Sequence, residues 1–381
     1  MSDNGEVEVP LDIECSELVF DIDFHPSGGY LAAGLIDGTV EVWKHGIGLD
    51  GNKRALINNP HDGSCRGLIF DGSGQRLWTI CSDKHFRVMD EFGKEISKFH
   101  TGDDKLNKLL RLDDNTVITG DDSGCVKIWD LRADNNKINA NAAMEWNVHE
   151  DYVSCFSYCP DKDNTLISGS GDGTIAIYDL RKPSVDNVTR SEDQEAEITC
   201  IEVMKNGKKV VCGTQDGVML FFSWGKWLDQ SDRYPGHPET VDCVVKIDER
   251  TMLTGSSDGL IRAIQVQPNK LLGVLGSHED FPVEGMKKNQ ENTLIASYAH
   301  DPVIRFNDIS IFYEEKGSCG NAGKEGNGDE MSEGEQDSND EVGLGSDPQA
   351  MDSDSDDSDE GGDVPMLPKM KTSAESFFED L

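Results

Sequence analysis

Nowhere among its 381 residues does the chain place 18 consecutive apolar residues, the length a membrane-spanning helix needs. It opens Met1-Ser-Asp-Asn-Gly-Glu, with neither the basic segment nor the apolar run of a secretory leader. Lys and Arg are scarce, 35 against 73 Asp and Glu, for a formal net charge of −38. Contacts to phosphate depend on cations, so this balance disfavours direct nucleic-acid binding. Lys105, Lys108 and Arg111 are the candidate for a local basic patch, although three charges on a loop are more often a solvated face. There is no Cys-x-x-Cys pair, no Gly-x-Ser-x-Gly elbow, no phosphate loop and no His-Glu-x-x-His. These absences predict a non-catalytic protein without cofactor or metal, soluble and intracellular in a reducing compartment.

What the chain has is repetition. Seven times an apolar strand-like run follows a tight turn, from AAGLIDGTVEVW at Ala32 to ASYAHDPVIRF at Ala296. Aligned six residues before the final aromatic or apolar residue, the turns fall at Asp37, Asp83, Ser123, Asp172, Asp216, Asp258 and His300, 40 to 49 residues apart. A Gly-x-x-Asp-Gly turn at that period marks one four-stranded blade per repeat. The fold expected is all-β, a seven-bladed β-propeller over residues 1–313. A ring must hide its last strand edge. The alternating run Val7, Val9, Leu11 and Ile13 is the candidate outer strand for the blade ending near Phe306.

A second periodicity rests on His61, His100, His149, His237 and His278, each 21 to 23 residues before its own turn. Such repeats resemble the WD-repeat family, in which this histidine, the turn Asp, a strand Ser or Thr and a strand-end Trp share hydrogen bonds. The fullest set here is His149, Ser168 and Asp172, with Tyr178 in place of Trp. Regular spacing makes these histidines structural, since a metal site needs ligands converging at one place. Cys155, Cys200 and Cys243 occupy one position of successive inner strands, with Cys65 close to it, and read as a small buried apolar slot.

Beyond residue 313 the composition changes. Residues 314–381 hold 21 Asp and Glu against 4 Lys, leaving −21 of the formal charge to the propeller. Residues 314–363 are almost devoid of apolar side chains and are expected to form a disordered acidic tail, which cannot repay the entropy of ordering. Ser332, Ser338, Ser353, Ser355 and Ser358 lie in it as candidate phosphorylation sites. The first three carry an acid three residues on, and Ser355 acquires one once Ser358 is modified, the pattern that casein kinase type II enzymes prefer. Each phosphate adds about −1.5 to −2 charge, which strengthens the tail as a ligand for basic proteins. Residues 364–381 end Ser373-Ala-Glu-Ser-Phe-Phe-Glu-Asp-Leu. A short helix capped by Ser373 would align Phe377, Phe378 and Leu381, a docking peptide for a groove on the propeller or on a partner.

A closer likeness rests on Phe20-Asp-Ile-Asp-Phe-His-Pro, Trp224-Gly-Lys-Trp, Ser231-Asp-Arg-Tyr-Pro-Gly-His-Pro, Pro268-Asn-Lys-Leu-Leu-Gly and His278-Glu-Asp-Phe-Pro-Val-Glu, of which the Asn-Lys-Leu-Leu-Gly and Glu-Asp-Phe-Pro-Val-Glu stretches are not generic to the repeat. They resemble the WD repeat-containing protein 55 family across the whole propeller. That resemblance implies a scaffold in the nucleus and nucleolus, with a cytoplasmic pool, that joins pre-ribosomal factors in ribosomal RNA processing and ribosome biogenesis. A different function is suggested by Trp129-Asp130-Leu-Arg132 and Tyr178-Asp179-Leu-Arg181. These resemble the blade endings by which substrate receptors of cullin-RING ubiquitin ligases grip the damaged-DNA-binding adaptor. The bland alternative is an arginine paired to a neighbouring blade.

Overall fold

The computed structural model describes residues 9–47, 51–132, 142–182 and 184–314. They form seven antiparallel sheets of four strands, the blades of a β-propeller. Blade 4 is typical: inner strand Val153–Cys159, second strand Thr165–Ser170, third strand Ile175–Asp179 and outer strand Val188–Arg190. The second strand is buried at every residue because it lies between two neighbouring blades, whereas the outer strand is partly or fully exposed. Inner strands pack side by side around the ring, that of blade 7 (Val283–Lys288) meeting that of blade 1 (Val19–Phe24). Loops that enter inner strands and turns between second and third strands share one face, here the upper. The remaining connections form the lower face.

Every inner strand bulges after its first residue, at Val19/Asp21, Cys65/Gly67, Leu106/Lys108, Val153/Cys155, Ile198/Cys200, Val241/Cys243 and Val283/Gly285. A bulge re-aims one side chain, and in four blades that side chain reaches the next blade. Arg66 Nη1 donates to Asp122 of blade 3 at 2.9 Å. Asn107 Nδ2 donates to the Val153 carbonyl at 2.9 Å. Ser154 donates to the Ile198 carbonyl and Thr199 to the Val241 carbonyl. At blade 6 the bulged residue is Asp242, which instead accepts from Ser257 Oγ at 2.8 Å.

After the bulge, each inner strand faces its second strand in a pair of which one member is glycine: Asp21–Gly34, Gly67–Ile80, Lys108–Gly120, Cys155–Gly169, Cys200–Gly213, Cys243–Gly255 and Gly285–Tyr298. Cys155, Cys200 and Cys243 occupy the space a missing Cβ leaves, and a Cβ on Gly213 would lie 2.5 Å from Cys200 Sγ. Gly213→Ala is therefore expected to cost about 1–2 kcal/mol by overpacking. Adding Cys200→Gly, which recreates the order of the Gly67–Ile80 pair, should recover part of the loss. Additive effects in a denaturant double-mutant cycle would refute this complementarity. Cys65 differs from the other three: it begins its strand, and its Sγ would lie 2.7 Å from a Cβ on Gly34. The nine described cysteines are free thiols.

The outer position of blade 7 is filled by Ile13–Glu14, antiparallel to the third strand Val303–Asp308, with Ile13 opposite Ile304. The Cys15 N–H donates to the Pro302 carbonyl at 2.8 Å. This strand is shorter than the alternation from Val7 suggests. Pro10 has no N–H to give a ladder, Leu11 is 43% exposed, and Val7 lies outside the described residues. Asn52 Nδ2 holds this approach instead, donating to the Leu11 and Asp12 carbonyls at 2.6 and 3.2 Å.

Candidate interaction faces

In blade 4, His149 Nε2 lies 2.7 Å from Ser168 Oγ, which is 3.1 Å from Tyr178 Oη. His149 Nδ1 lies 3.4 Å from Asp172. Thr174 Oγ1 donates to Asp172 at 2.6 Å, Arg190 Nη2 at 3.0 Å and the Glu150 N–H at 2.8 Å. Burial raises the Asp172 carboxyl, but the hydrogen bonds from His149, Thr174 and Glu150 outweigh it and hold the group well below the usual range. All of this lies inside one blade and its entry loop. His149, Ser168, Asp172 and Tyr178 thus tie the upper loops to the blade and leave no donor set for chemistry.

Blades 2 and 6 use another device. Arg87 Nη1 lies 2.7 Å from Asp83, and Arg262 reaches Asp258 through two nitrogens at 2.9 and 2.5 Å. The signal in the sequence is an Arg four residues after the turn acid, and the search for histidines missed it. His61, Cys81 and Asp83 each bring one donor atom within 4.8 Å of the others. The Arg87 guanidinium contacts two of the three, donating to His61 Nδ1 and pairing with Asp83. A cation there would face a fixed positive charge, so the trio is a hydrogen-bonded structural set.

Three sequence alignments need correction. In blade 7 the turn acid is Asp301, whose Oδ1 accepts from the Val303 N–H at 3.3 Å. His300 stands one residue earlier, exposed, against Glu284 at 2.8 Å. Counting back from Phe306 misplaced it, since the ladder sets Ser297 opposite Arg305 as it sets Ser168 opposite Ala176. In blade 3, Asp121 replaces the missing acid at Ser123 by accepting from the Ser123 and Cys125 N–H groups. His100 is exposed at the end of the outer strand Glu95–His100, its ring 5.2 Å from that of His85, and joins no such network.

On the lower face, Trp129 and Tyr178 are buried, while Arg132 and Arg181 project beyond the third strands of adjacent blades with side chains 68% and 46% exposed. Neither reaches a neighbouring blade. Arg132 forks onto Asp130 through Nε at 2.9 Å and Nη2 at 2.8 Å, and Arg181 forks onto Asp179 at the same distances. Arg181 Nη1 also contacts Asp163. The Arg181 guanidinium holds the Asp179 carboxyl down to about 2. A third element lies beside Arg181: Trp224 and Trp227 stack edge to face with centroids 5.0 Å apart, and Lys162 Nζ sits 5.8 Å over the Trp224 ring. Leu228 beside them is 64% exposed. Ser332, Ser338, Ser353, Ser355, Ser358, Phe377, Phe378 and Leu381 lie outside the described residues.

With seven blades, a two-residue closing strand and a lower face of arginine forks on the page, comparison with known proteins is decisive. The profile of the WDR55 family matches residues 10–312. The chain belongs to the WDR55 family. It is 33% identical over 316 residues to WD repeat-containing protein 55 of Arabidopsis thaliana, covering 82% of this chain and 86% of that one. To WD repeat-containing protein 55 of Homo sapiens it is 33% identical over 307 residues, 80% of this chain and 78% of the other. WD repeat-containing protein JIP5 of Coprinopsis cinerea is 32% identical over 316 residues. The WDR55 match ends at residue 312, short of the acidic segment.

Proposed function

We propose that this WDR55-family propeller is a nucleolar scaffold in ribosomal RNA processing and ribosome biogenesis, holding pre-ribosomal factors against its faces while the acidic tail engages basic proteins. The observation that carries the reading is the family match across the whole disc. The geometry fits a scaffold, because the polar networks bind loops to blades and the exposed groups are arginine forks and aromatics of the kind enriched in interfaces. The process itself comes from the family likeness, since one fold serves many functions. The test is co-sedimentation of the tagged protein with pre-ribosomal particles, together with rRNA precursors on depletion. Absence from those particles with normal precursor ratios would end the proposal.

A cullin-RING receptor role is the second reading, drawn from the exposure of Arg132 and Arg181 on one face. Against it, the Arg181 fork is spent on Asp179 and its remaining nitrogen on Asp163. An adaptor must displace contacts already made. Under this reading, Arg132→Ala with Arg181→Ala abolishes adaptor capture in a pull-down while the melting temperature holds. Under the scaffold reading, capture is absent in the wild type.

A further inference from the structure

A groove of about 560 Å³ opens between blades 1 and 2 on the lower side, walled by Val42, Leu56, Leu77 and Met89. That is within the ~300–1,000 Å³ range of ligand clefts. Its floor is aromatic: the His25 ring meets Phe70 edge-on at 4.9 Å and Tyr30 at 6.1 Å, with His25 Nε2 set 3.0 Å from the Gly74 carbonyl. Its lip is Phe92, 77% exposed. Phe92 stands on a rigid hairpin tip. Asp90 Oδ1 accepts from the N–H groups of Phe92 at 3.0 Å and Lys94 at 2.8 Å, Gly93 takes a φ of 76°, and Asn58 Nδ2 donates to the Gly93 carbonyl at 2.5 Å. Presenting a fixed phenylalanine to water beside an open apolar cleft gains the isolated disc nothing.

We propose that the groove is the docking site of residues 373–381 of this same chain, with Phe377, Phe378 and Leu381 as apolar anchors. The last described element, Ile311–Glu314, lies on the same lower side, where Tyr313 Oη donates to the Ile247 carbonyl at 2.8 Å. The tether from there covers residues 315–372. At ~3.3 Å per extended residue its reach exceeds the two-blade gap many times over, and tethering supplies an effective concentration of about millimolar order. Up to Asp363 that tether has almost no apolar side chain to compete. Aromatic anchors on an aromatic floor gain edge-to-face contacts beyond their burial. Docking in cis closes this groove to peptides from other proteins.

The test uses the full chain with p-benzoylphenylalanine at position 92. Irradiation is expected to yield an intramolecular crosslink to residues 373–381, identified by peptide mass spectrometry and formed at a rate independent of protein concentration. Phe377→Ser with Phe378→Ser should lower its yield about tenfold, as loss of anchor side chains does, without moving the melting temperature. Absence of that crosslink, a crosslink unchanged by the serine pair, or one that forms between copies and rises with concentration would overturn the proposal.

Discussion

Deleting residues 1–14 is expected to lower the melting temperature by about 8 °C, the shift set by a loss of about 5 kcal/mol in a domain of this size. Ile13 is 1% exposed and packs in one cluster with Ile22, Tyr298, Ile304 and Phe306, so it joins blade 7 to blade 1. Truncating it alone, as Ile13→Ala, should cost about 3 kcal/mol. The deletion goes further, because it strips the Val303–Asp308 strand of its partner and opens an edge to other chains. Differential scanning calorimetry should therefore show a lower transition, and light scattering an onset of association. An unchanged transition would mean that the closing strand contributes nothing.

Asp242→Asn is expected to stabilise the protein by about 2 kcal/mol at pH 8, and by progressively less as pH falls to 4. Burial pushes Asp242 up to about 7, with Glu284, Asp258 and Glu239 adding to the rise and the Ser257 hydroxyl opposing it. An acid whose folded pKa lies above its unfolded value binds its proton more tightly when folded. Between pH 4 and 7 it therefore adds stability as pH falls, and above 7 it imposes its full cost; asparagine removes that term. His237 and His278 act in the opposite sense. Burial, with Arg262 and Arg305 respectively, lowers each to about 4, so their contribution is complete above pH 6.5 and lost as pH falls through 4. The two signs offset each other in the wild-type curve, and the quantity to measure is variant minus wild type in urea across that range. A difference independent of pH would show that Asp242 titrates normally.

The architecture was legible because each blade must meet the same constraint: a turn acid, a tight glycine turn and a strand buried on both faces recur wherever two blades pack. His149, Ser168 and Asp172 could be named before the structure because their spacing repeats. Spacing failed where chemistry was exchanged. Asp121 does from two residues away what Ser123 does not, Arg262 replaces a histidine contact to the turn acid while Arg87 joins one, and Phe306 drew the count off Asp301. The closing strand was legible as a need of the ring rather than in its extent, since Pro10 limits pairing in a way that alternating hydrophobicity does not register. The groove at Phe92 escaped the reading, and Trp224-Gly-Lys-Trp was legible as a family-like stretch but not as a stacked pair, because neither feature repeats around the disc. One is made by loops that meet only in space, and the other looks like ordinary strand-end aromatics.

The bulge stitches run from blade 2 to blade 6 and stop at Asp242, and the outer edge of blade 7 is closed by only two residues of a strand borrowed from the far end of the chain. The disc thus has a seam. Amide exchange is expected to be fastest in blade 7 and slowest in blades 4 and 5, and a mechanical load applied at the two ends should peel the ring from that sector before any other blade yields. A mutation distant from every binding face would then alter assembly by changing how often the ring stands ajar.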